Sequence, residues 1–365
     1  IQGLQGSDPR YRKTVATPKH FAVHSGPEDK RHYFNAEVSQ RDLRMTYLPA
    51  FKASIMEAKA YSIMSAYNRV NGEACSASPT LLQKILRDTW GFEGFVVSDC
   101  GAVDDIYSNH MLAKTPAEAA ALAVKNGCDL ECGCTYDIPC IYGYLTEAVE
   151  RGLLSEADLD RAVKRLFMAR FRLGMFDPDE QVPYAQIPFS VVDSPAHREL
   201  ALEMARQSLV LLKNQKNRLP LAKDKLNSIA VIGPNADETL VLSGNYMGSP
   251  ADPVSVLAGI RALVSPEMKV TYARGCDLLG YDQDNFAEAI QAARQSQIAV
   301  VVLGLSQLLE GEQQMEEGLP PGMRSQGDRK NIDLPIIQQQ LLEAIHATGT
   351  PVILVLINGS ALAVN

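Results

Sequence analysis

The sequence has no long apolar stretch and no cluster of basic residues, and each absence excludes a class of protein. None of its apolar runs approaches the ~20 residues that a membrane-spanning helix needs. The net charge is −8, and the 35 Lys and Arg residues are scattered along the chain. Nucleic acids and anionic membranes attract clustered basic residues, so we expect neither of them as a partner.

The fingerprint of a dinucleotide-binding fold is also missing. Ile232 and Gly233 follow a predicted strand, as the fingerprint requires, but no G-x-G-x-x-G motif occurs there. Pro234 occupies a position where that turn needs the flexibility of glycine. An oxidoreductase is therefore disfavoured, and we expect no cofactor.

Histidine is absent from the cysteine-rich segment of the chain, which argues against a zinc site. Seven cysteines form an odd set, so at least one thiol is free or pairs outside the chain. Four of them follow the spacing C-x3-C-x-C-x5-C, which is not a structural zinc pattern. We expect no metal, and we interpret these four as buried small side chains or as including one local disulfide: Cys128, Cys132, Cys134 and Cys140.

The residues that are present predict a chain with two domains. A length of 365 residues fits two domains of ordinary size, and an apolar share of 46% supports a sizeable core. The segment from Ile1 to Gly6 resembles an interior loop, and the chain stops at Asn365, just past a predicted strand. We therefore expect both ends of the natural protein to be missing here. On that expectation, the absence of a signal peptide says nothing about export.

Three predicted strands end in polar residues. The apolar run Gly94–Val97 predicts a buried strand that delivers Asp99 at its carboxyl end. Lys19-His20 and Tyr67-Asn68 likewise follow apolar or β-branched runs. Because α/β enzymes place their chemistry at the carboxyl ends of parallel strands, these residues are candidates for one site. The alternative for Asp99 is a carboxylate that only caps the following helix.

Strands and helices alternate in both halves of the chain. The first half has the rhythm of a β/α barrel, but only about four strands fall in ~175 residues, where a full barrel needs eight. The second half repeats the helix–strand step, which predicts a parallel sheet with helices on both faces. Four prolines among polar residues predict an extended linker between the halves. The expected boundaries are 1–175 for a partial barrel domain, 176–196 for the linker and 197–365 for the second α/β domain.

Several motifs resemble those of glycoside hydrolase family 3, of the β-xylosidase and β-glucosidase type. Cys100 stands where the family usually has Trp, a departure seen on its xylosidase-like side. The resemblance implies a (β/α)8-type barrel, with its N-terminal part absent from this sequence, followed by an α/β/α sandwich with a mostly parallel sheet. It runs through nearly the whole chain and rests on Lys19-His20, Tyr67-Asn68, Val97-Ser-Asp99, Phe171–Asp177 and Ser208–Asn214.

The resemblance also implies roles for individual residues. Asp99 would be the catalytic nucleophile. We expect Lys19 to be a buried cation that helps to keep Asp99 ionised, because a lone buried lysine is rarely structural. Tyr67 would orient the Asp99 carboxylate, and its alternative is a core aromatic. The candidate substrate-binding residues are Lys19, His20, Tyr67, Asn68 and Arg69.

A retaining glycosidase needs a second carboxyl group, ~5–5.5 Å from the first, to protonate the leaving oxygen. Glu310 and Glu312 follow a predicted strand of the second half and resemble the acid/base loop of the family, which reaches over the barrel. Alignment on the shorter family motif favours Glu312, whereas counting from the strand favours Glu310; we prefer Glu312, with Glu310 as the alternative. Asp328 and Arg329 are expected to brace this loop through an ion pair.

Together, the motifs predict a retaining exo-acting β-glycoside hydrolase that releases single sugars from the non-reducing end of short β-1,4-linked oligosaccharides. A β-xylosidase is the preferred interpretation, with a β-glucosidase or a dual enzyme as the alternative. A non-catalytic carbohydrate-binding protein is the alternative from a different class. The expected partner is an oligosaccharide or aryl β-glycoside substrate, a homodimer is left open, and the expected location is the periplasm or the cell exterior.

Overall fold

The structure is a computed structural model, and it describes residues 1–134, 138–244, 247–307, 309, 329 and 331–363. The chain divides into two compact units, Ile1–Val192 and Asp193–Asn365, which we call unit 1 and unit 2. Among the described residues, no helix combines the length and the apolar character needed to cross a bilayer.

Short strands and helices alternate through unit 1. The strands are β1 (Asn35–Ala36), β2 (Ser62–Ser65), β3 (Arg69–Val70), β4 (Glu73–Ala74) and β5 (Phe95–Ser98). The α-helices are α1 (Gln2–Gln5), α2 (Gln40–Asp42), α3 (Pro49–Met56), α4 (Ala102–Ser108), α5 (Pro116–Asn126), α6 (Leu145–Glu150) and α7 (Glu156–Arg172). Wider π-helical turns occupy Leu43–Tyr47 and Pro79–Thr89, and tighter 3₁₀ turns occupy Glu28–Lys30, Cys75–Ala77 and Ile141–Tyr144.

A parallel ladder forms the centre of unit 1. Strands β2 and β5 pair in parallel, with Ser65 opposite Ser98 at their carboxyl ends. Isolated parallel bridges join Phe21 to Ser65 and Val97 to Leu130 on either side. The predicted parallel strands around Asp99 and Tyr67 are thereby confirmed for β2 and β5. Four chain segments therefore end at one edge, which brings the residues that follow them together.

A buried ion-pair cluster ties this ladder to two helices. The Asp129 carboxylate accepts hydrogen bonds from Arg87 at 2.8 Å, from Arg165 at 2.8 Å and from the Val96 amide at 2.9 Å. Arg87 lies in the helix Pro79–Thr89, Arg165 lies in α7, and Val96 lies in β5. Because the Asp129 side chain is only 1% exposed, these contacts hold three elements to one another inside the core.

The stretch 176–196, predicted to be an extended linker, contains several short turns. It forms 3₁₀ turns at Asp179–Gln181, Pro183–Gln186 and Phe189–Val191. Val182 is buried, and the Tyr184 hydroxyl accepts a hydrogen bond from the Asp8 amide at 3.1 Å. Proline suits the first position of such a turn, where its missing N–H costs nothing. The prolines therefore mark the starts of turns within the predicted linker.

The cysteines form more bridges than the single local disulfide weighed from the sequence. Cys134 pairs with Cys140, six residues away, and Cys100 pairs with Cys132. Glu131 lies near the first of these bridges, and its carboxylate accepts hydrogen bonds from the backbone amides of residues 141 and 142. Bridged sulfurs offer no thiolate to a metal. The remaining cysteines are unbridged and buried: Cys75, Cys128 and Cys276.

Unit 2 contains a four-stranded parallel sheet in the order β7-β6-β8-β9, and the predicted parallel pairing is confirmed there. Its strands are β6 (Ser228–Ile232), β7 (Lys269–Ala273), β8 (Ile298–Gly304) and β9 (Val352–Ile357). Its α-helices are α8 (Pro195–Ser208), α9 (Val256–Leu263), α10 (Phe286–Arg294) and α11 (Ile336–His346). Further 3₁₀ turns occupy Gln215–Asn217, Lys223–Lys225 and Leu240–Leu242.

Helices cover both faces of this sheet. Along β8, Val301 and Leu303 belong to the apolar core that includes α10 and α11, whereas Val300 and Val302 pack in the core that includes Leu257 of α9. Successive residues of a strand point to opposite faces, so a strand buried on both sides has to be apolar throughout. The unbroken apolar run of β8 follows from this burial, because every one of its residues is buried.

Removal of the Asp129 carboxylate should destabilise unit 1 strongly. Asp129→Ala leaves the Arg87 guanidinium buried without its counter-charge, and breaking a buried pair from one side costs about 3–5 kcal/mol. Urea unfolding followed by circular dichroism measures the change. Glu147→Ala is the matched control, because the Glu147–Arg151 pair is exposed and contributes at most about 1 kcal/mol. Equal losses in the two variants would contradict the structural role of Asp129.

Candidate active site

Asp99 lies immediately after β5, and it is 5% exposed. Its amide donates to the Ser65 carbonyl at 3.2 Å, which continues the β2–β5 ladder by one more bond. The Cys100 amide donates to its Oδ1 at 2.9 Å, and Nε2 of His20 lies 3.0 Å from its Oδ2. Both carboxylate oxygens therefore face positive or donating groups at the ladder edge.

Competing effects set the pKa of Asp99. Burial raises it, but the neighbouring His20 ring, the Cys100 amide and the charge of Lys19 together outweigh burial, so the pKa of Asp99 is lowered. Donors and positive charges stabilise the ionised form of a carboxyl group more than its neutral form. Asp99 is therefore a partly desolvated carboxylate that stays ionised in mildly acidic solution, as a nucleophile requires.

Lys19 and His20 directly precede the Phe21–Ser65 bridge, but only His20 is partly buried. The His20 side chain is 18% exposed, consistent with its contact with Asp99. Lys19 is exposed, which corrects the expectation of a buried cation. A long amine side chain reaches solvent while its backbone stays at the strand end. Its charge acts on Asp99 from the surface.

Tyr67 follows β2 and is 5% exposed. Burial, followed by the nearby charge of Asp99, raises the pKa of Tyr67 far above its usual range, so the phenol lies within reach of the Asp99 carboxylate. A phenol that keeps its proton is a donor, so it can hold the carboxylate in one orientation. This contact supports the role in orienting Asp99 that we predicted from the sequence.

Asn68 and Arg69 hold backbone in the described structure. Asn68 is fully buried, and its amide nitrogen donates to the carbonyls of Ala22 and Val23 at 3.4 and 3.3 Å. Arg69 donates to the Tyr33 carbonyl at 3.0 Å. Asn68 is thus a buried support of backbone in the described residues, and its predicted place in the lining of the sugar pocket stays a prediction. Its side-chain amide fixes the segment that follows Lys19-His20.

Sequence reasoning missed a shell of ring and guanidinium groups around Tyr67. The Arg31 guanidinium lies 4.7 Å from the centre of the Tyr67 ring, and the His32 ring centre lies 4.6 Å from it. His24 stands 4.8 Å from His20, ring centre to ring centre. One signal was available, because three of the six histidines in the chain fall between positions 20 and 32.

The Cys100–Cys132 bridge is also part of the site, and its pairing was not predicted. It joins the residue after Asp99 to the loop that follows the Val97–Leu130 bridge. Two further bonds repeat this connection, from the Gly101 amide to the Cys132 carbonyl at 2.9 Å and from the Cys132 amide to Ser98 Oγ at 3.0 Å. The backbone on both sides of Asp99 is therefore fixed by covalent and hydrogen bonds.

The predicted acid residues, Glu310 and Glu312, lie outside the described residues, as does Asp328. The structure does describe the end of β8, from which that loop departs. Gln338, which is fully buried, accepts from the Gly304 amide at 2.8 Å and donates to the Gly304 carbonyl at 2.9 Å. Buried side-chain amides on backbone groups fix the direction in which a chain leaves a sheet.

Known relatives of the sequence include enzymes that act on xylosides. The chain is 47% identical over 280 residues to the xylan 1,4-beta-xylosidase of Xylanibacter ruminicola, which covers 76% of this chain and 32% of that protein. It is 38% identical over 380 residues to a beta-xylosidase of Formosa agariphila, covering 100% of this chain and 50% of that protein. The matched part thus spans 32% to 50% of the length of these relatives.

Solved structures of glycoside hydrolases share the fold of this chain. A glycoside hydrolase family 3 exo-beta-xylosidase bound to a xylobiose aziridine probe superposes with a TM-score of 0.85 at 34% identity, over 96% of this chain and 43% of that one. A beta-glucosidase from Erythrobacter marinus superposes with a TM-score of 0.86 at 31% identity, over 99% of this chain and 49% of that one.

Family-wide sequence models match both halves. The glycosyl hydrolase family 3 N terminal domain matches residues 1–169, and the C-terminal domain of the same family matches residues 209–365. The order of the two matches is the order of units 1 and 2, and the site described above lies within the first match. With its two-domain α/β fold, the chain belongs to glycoside hydrolase family 3.

Proposed function

We propose that this chain carries the nucleophile of a retaining, exo-acting β-glycoside hydrolase that removes single sugars from the non-reducing end of short β-1,4-linked oligosaccharides. One observation carries the proposal. Asp99 is a buried carboxylate held ionised at a strand end, 3.0 Å from His20 and bonded to the Cys100 amide. A carboxylate that only caps a helix needs neither the imidazole nor the buried phenol of Tyr67.

The reaction proceeds by two displacements. Asp99 attacks the anomeric carbon, the bond from that carbon to the leaving oxygen breaks, and a glycosyl ester forms on Asp99. The leaving oxygen takes its proton from Glu312 in our preferred assignment, with Glu310 as the alternative. The same glutamate then accepts a proton from water, which attacks the anomeric carbon and releases Asp99. Inversion at each step gives net retention.

The fold that we propose for the two domains is finer than the family assignment. The parallel ladder of unit 1 supports part of a (β/α)8-type barrel, and the helix-covered sheet of unit 2 supports an α/β/α sandwich that carries the acid/base loop. The proposed domain boundaries are 1–175 and 197–365, joined by 176–196. In this arrangement, Lys19, His20 and Tyr67 contribute to the sugar pocket.

A xylose residue is the substrate unit that we favour. Relatives named as beta-xylosidases support this choice, and so does Cys100 in place of Trp. Solved beta-glucosidases with the same fold support the alternative of glucosidase or dual activity. Asp99, with its lowered pKa, a hydrogen bond on Oδ1 and the His20 ring 3.0 Å from Oδ2, weighs against a carbohydrate-binding protein without catalysis.

We also propose that the protein acts in the periplasm or outside the cell. The disulfides Cys100–Cys132 and Cys134–Cys140 support this location, because such bonds persist mainly in oxidising compartments. Oligosaccharides of plant cell-wall type would be met there.

Loss of the nucleophile should abolish turnover. Asp99→Ala in the full natural chain should lower kcat on the order of 10⁴-fold or more, as in other enzymes stripped of their nucleophile. Azide should restore cleavage of an aryl glycoside and yield the inverted glycosyl azide. Asp104→Asn is the control, because Asp104 bonds Ser108 within its own helix. A 2-fluoro glycoside that labels a peptide without Asp99 would defeat the assignment.

Loss of the acid should depend on the leaving group. Glu312→Gln should slow glycosides with poor leaving groups far more than activated aryl glycosides, because only the former need protonation. Steady-state kinetics on both classes of substrate test this. If Glu310→Gln shows the pattern and Glu312→Gln does not, the preferred assignment is wrong. Equal losses on both classes for both variants would remove the loop from the mechanism.

The sugar preference should favour xylose. We expect a higher kcat/KM on an aryl β-xyloside than on the matching aryl β-glucoside. One CH2OH group contributes only about 1–3 kcal/mol in a pocket, so measurable activity on both substrates is expected. A preference for the glucoside above about a hundredfold would exceed what that group supplies and would overturn the assignment.

A further inference from the structure

A second carboxylate–imidazole pair lies beside the site and has no part in the chemistry described above. His32 Nδ1 lies 2.9 Å from Asp105 Oδ2 and 3.2 Å from Oδ1. Asp105 is 3% exposed, and Asn109 donates to its Oδ1 at 2.6 Å. Buried carboxylates are rare without a specific partner. Asp105 has two, and one of them is a ring that reaches the site.

The pair closes a circuit of contacts through the nucleophile. The His32 ring meets the Tyr67 ring at 60°, with centres 4.6 Å apart, and the Tyr67 phenol is close enough to Asp99 for that charge to raise the pKa of Tyr67. Asp99 is joined through Gly101 to α4, which carries Asp105. Starting from Asp99, the circuit therefore runs through α4, the imidazole and the phenol back to the same carboxylate.

Arg31, the residue before His32, also packs against the Tyr67 ring. The Arg31 guanidinium lies 4.7 Å from the centre of the Tyr67 ring, and Glu28 accepts from it at 2.9 Å. Arg31 is 8% exposed, so its position is fixed by burial as well as by charge. Arg31 and His32 therefore both pack against the Tyr67 ring. Arg31 is bonded to the Glu28 carboxylate, and His32 is bonded to the Asp105 carboxylate.

We propose that His32 and Asp105 are positioning residues, which hold the Tyr67 phenol against Asp99 and so set the angle at which the nucleophile attacks. The inference rests on the proposed function, because it assigns these residues a role in that same reaction. Neither side chain forms a bond with the sugar. His32 acts on Tyr67, and Asp105 acts on His32.

Small displacements explain why such a support matters. A reacting group that moves by about 1 Å can cost on the order of a hundredfold in rate. In our proposal the Tyr67 phenol donates to the ionised Asp99 carboxylate, and such a bond lowers the pKa of the acceptor. When the phenol shifts, Asp99 loses orientation and part of the stabilisation of its charge. The expected signature is a lower kcat together with an acid limb that moves to higher pH.

Other ionisable groups lie near the His32–Asp105 pair, and the experiment has to separate their electrostatic effects from those of the pair. Burial, the charge of Arg69 and that of His32 lower the pKa of His110 to about 4, so that ring is neutral in the working range. Asp104 contributes a charge from the same helix as Asp105, and it raises the pKa of Asp105 less than burial does. Asp104→Asn is therefore the matched control for the loss of a charge from α4.

The first experiment compares Asp105→Asn and His32→Phe with Asp104→Asn in the full natural chain, on an aryl β-xyloside. We expect kcat to fall about ten- to a hundredfold in the first two variants, with KM within about threefold of the unaltered enzyme. The lower pKa in the profile of kcat/KM should rise in both. His32 is partly exposed, so His32→Phe keeps the test available if Asp105→Asn does not fold.

The second experiment asks whether the pair acts through Tyr67. In a Tyr67→Phe background, Asp105→Asn and His32→Phe should cause less than about a threefold further loss of kcat, because the bond they support is already gone. A full loss in that background would overturn the proposal and assign His32 to direct contact with substrate. An unchanged acid limb and kcat in the single variants would also overturn it.

Different results would refute the proposed function and the positioning role of His32 and Asp105. An unaltered enzyme without glycosidase activity would refute the proposed function. An active enzyme in which Asp105→Asn behaves like Asp104→Asn would refute only the positioning role.

Discussion

The Asp99 carboxylate has to be buried and ionised at once, and much of unit 1 serves that requirement. Burial strengthens every electrostatic contact of the carboxylate but disfavours its charge, so donors must be supplied at fixed positions. The Cys100 amide comes from the same turn, and the His20 ring comes from the neighbouring strand end. Tyr67 arrives from β2, which is in register with β5. Three separate segments can meet there only because their strands are parallel.

Buried groups that do not contact Asp99 directly also fix the backbone around the site. The Asn68 side-chain amide donates hydrogen bonds to carbonyls that follow His20. The buried Asp129 carboxylate accepts hydrogen bonds from two arginines and from the Val96 amide. The Cys100–Cys132 bridge fixes the turn after Asp99. These groups touch no substrate in our mechanism. They maintain distances that the chemistry needs to within a fraction of an ångström.

The sequence predicted what local pattern encodes and missed what only folding brings together. Apolar runs predicted β5 and the sheet of unit 2, because strands buried on both faces must be apolar along their length. The His32–Asp105 pair joins residues 73 positions apart, and the Cys100–Cys132 bridge spans 32 positions. No periodicity links such partners. Lys19 was wrongly expected to be buried because a motif names a residue without saying on which side of the backbone its side chain lies.

The acid that we propose in unit 2 needs the opposite protonation state from Asp99. A general acid must keep its proton, whereas Asp99 must lose its own, so the two carboxyl groups need different surroundings. The loop proposed to carry the acid leaves β8 after Gly304, where Gln338 bonds both the amide and the carbonyl and Asn235 donates to the Leu305 carbonyl at 3.0 Å. Both amide side chains are fully buried, which is unfavourable unless their bonds are made. Gln338 meets this condition with its oxygen and its nitrogen, and Asn235 meets it with its nitrogen. The backbone is therefore fixed at Gly304 and Leu305, the point in the sequence from which the proposed acid/base segment continues.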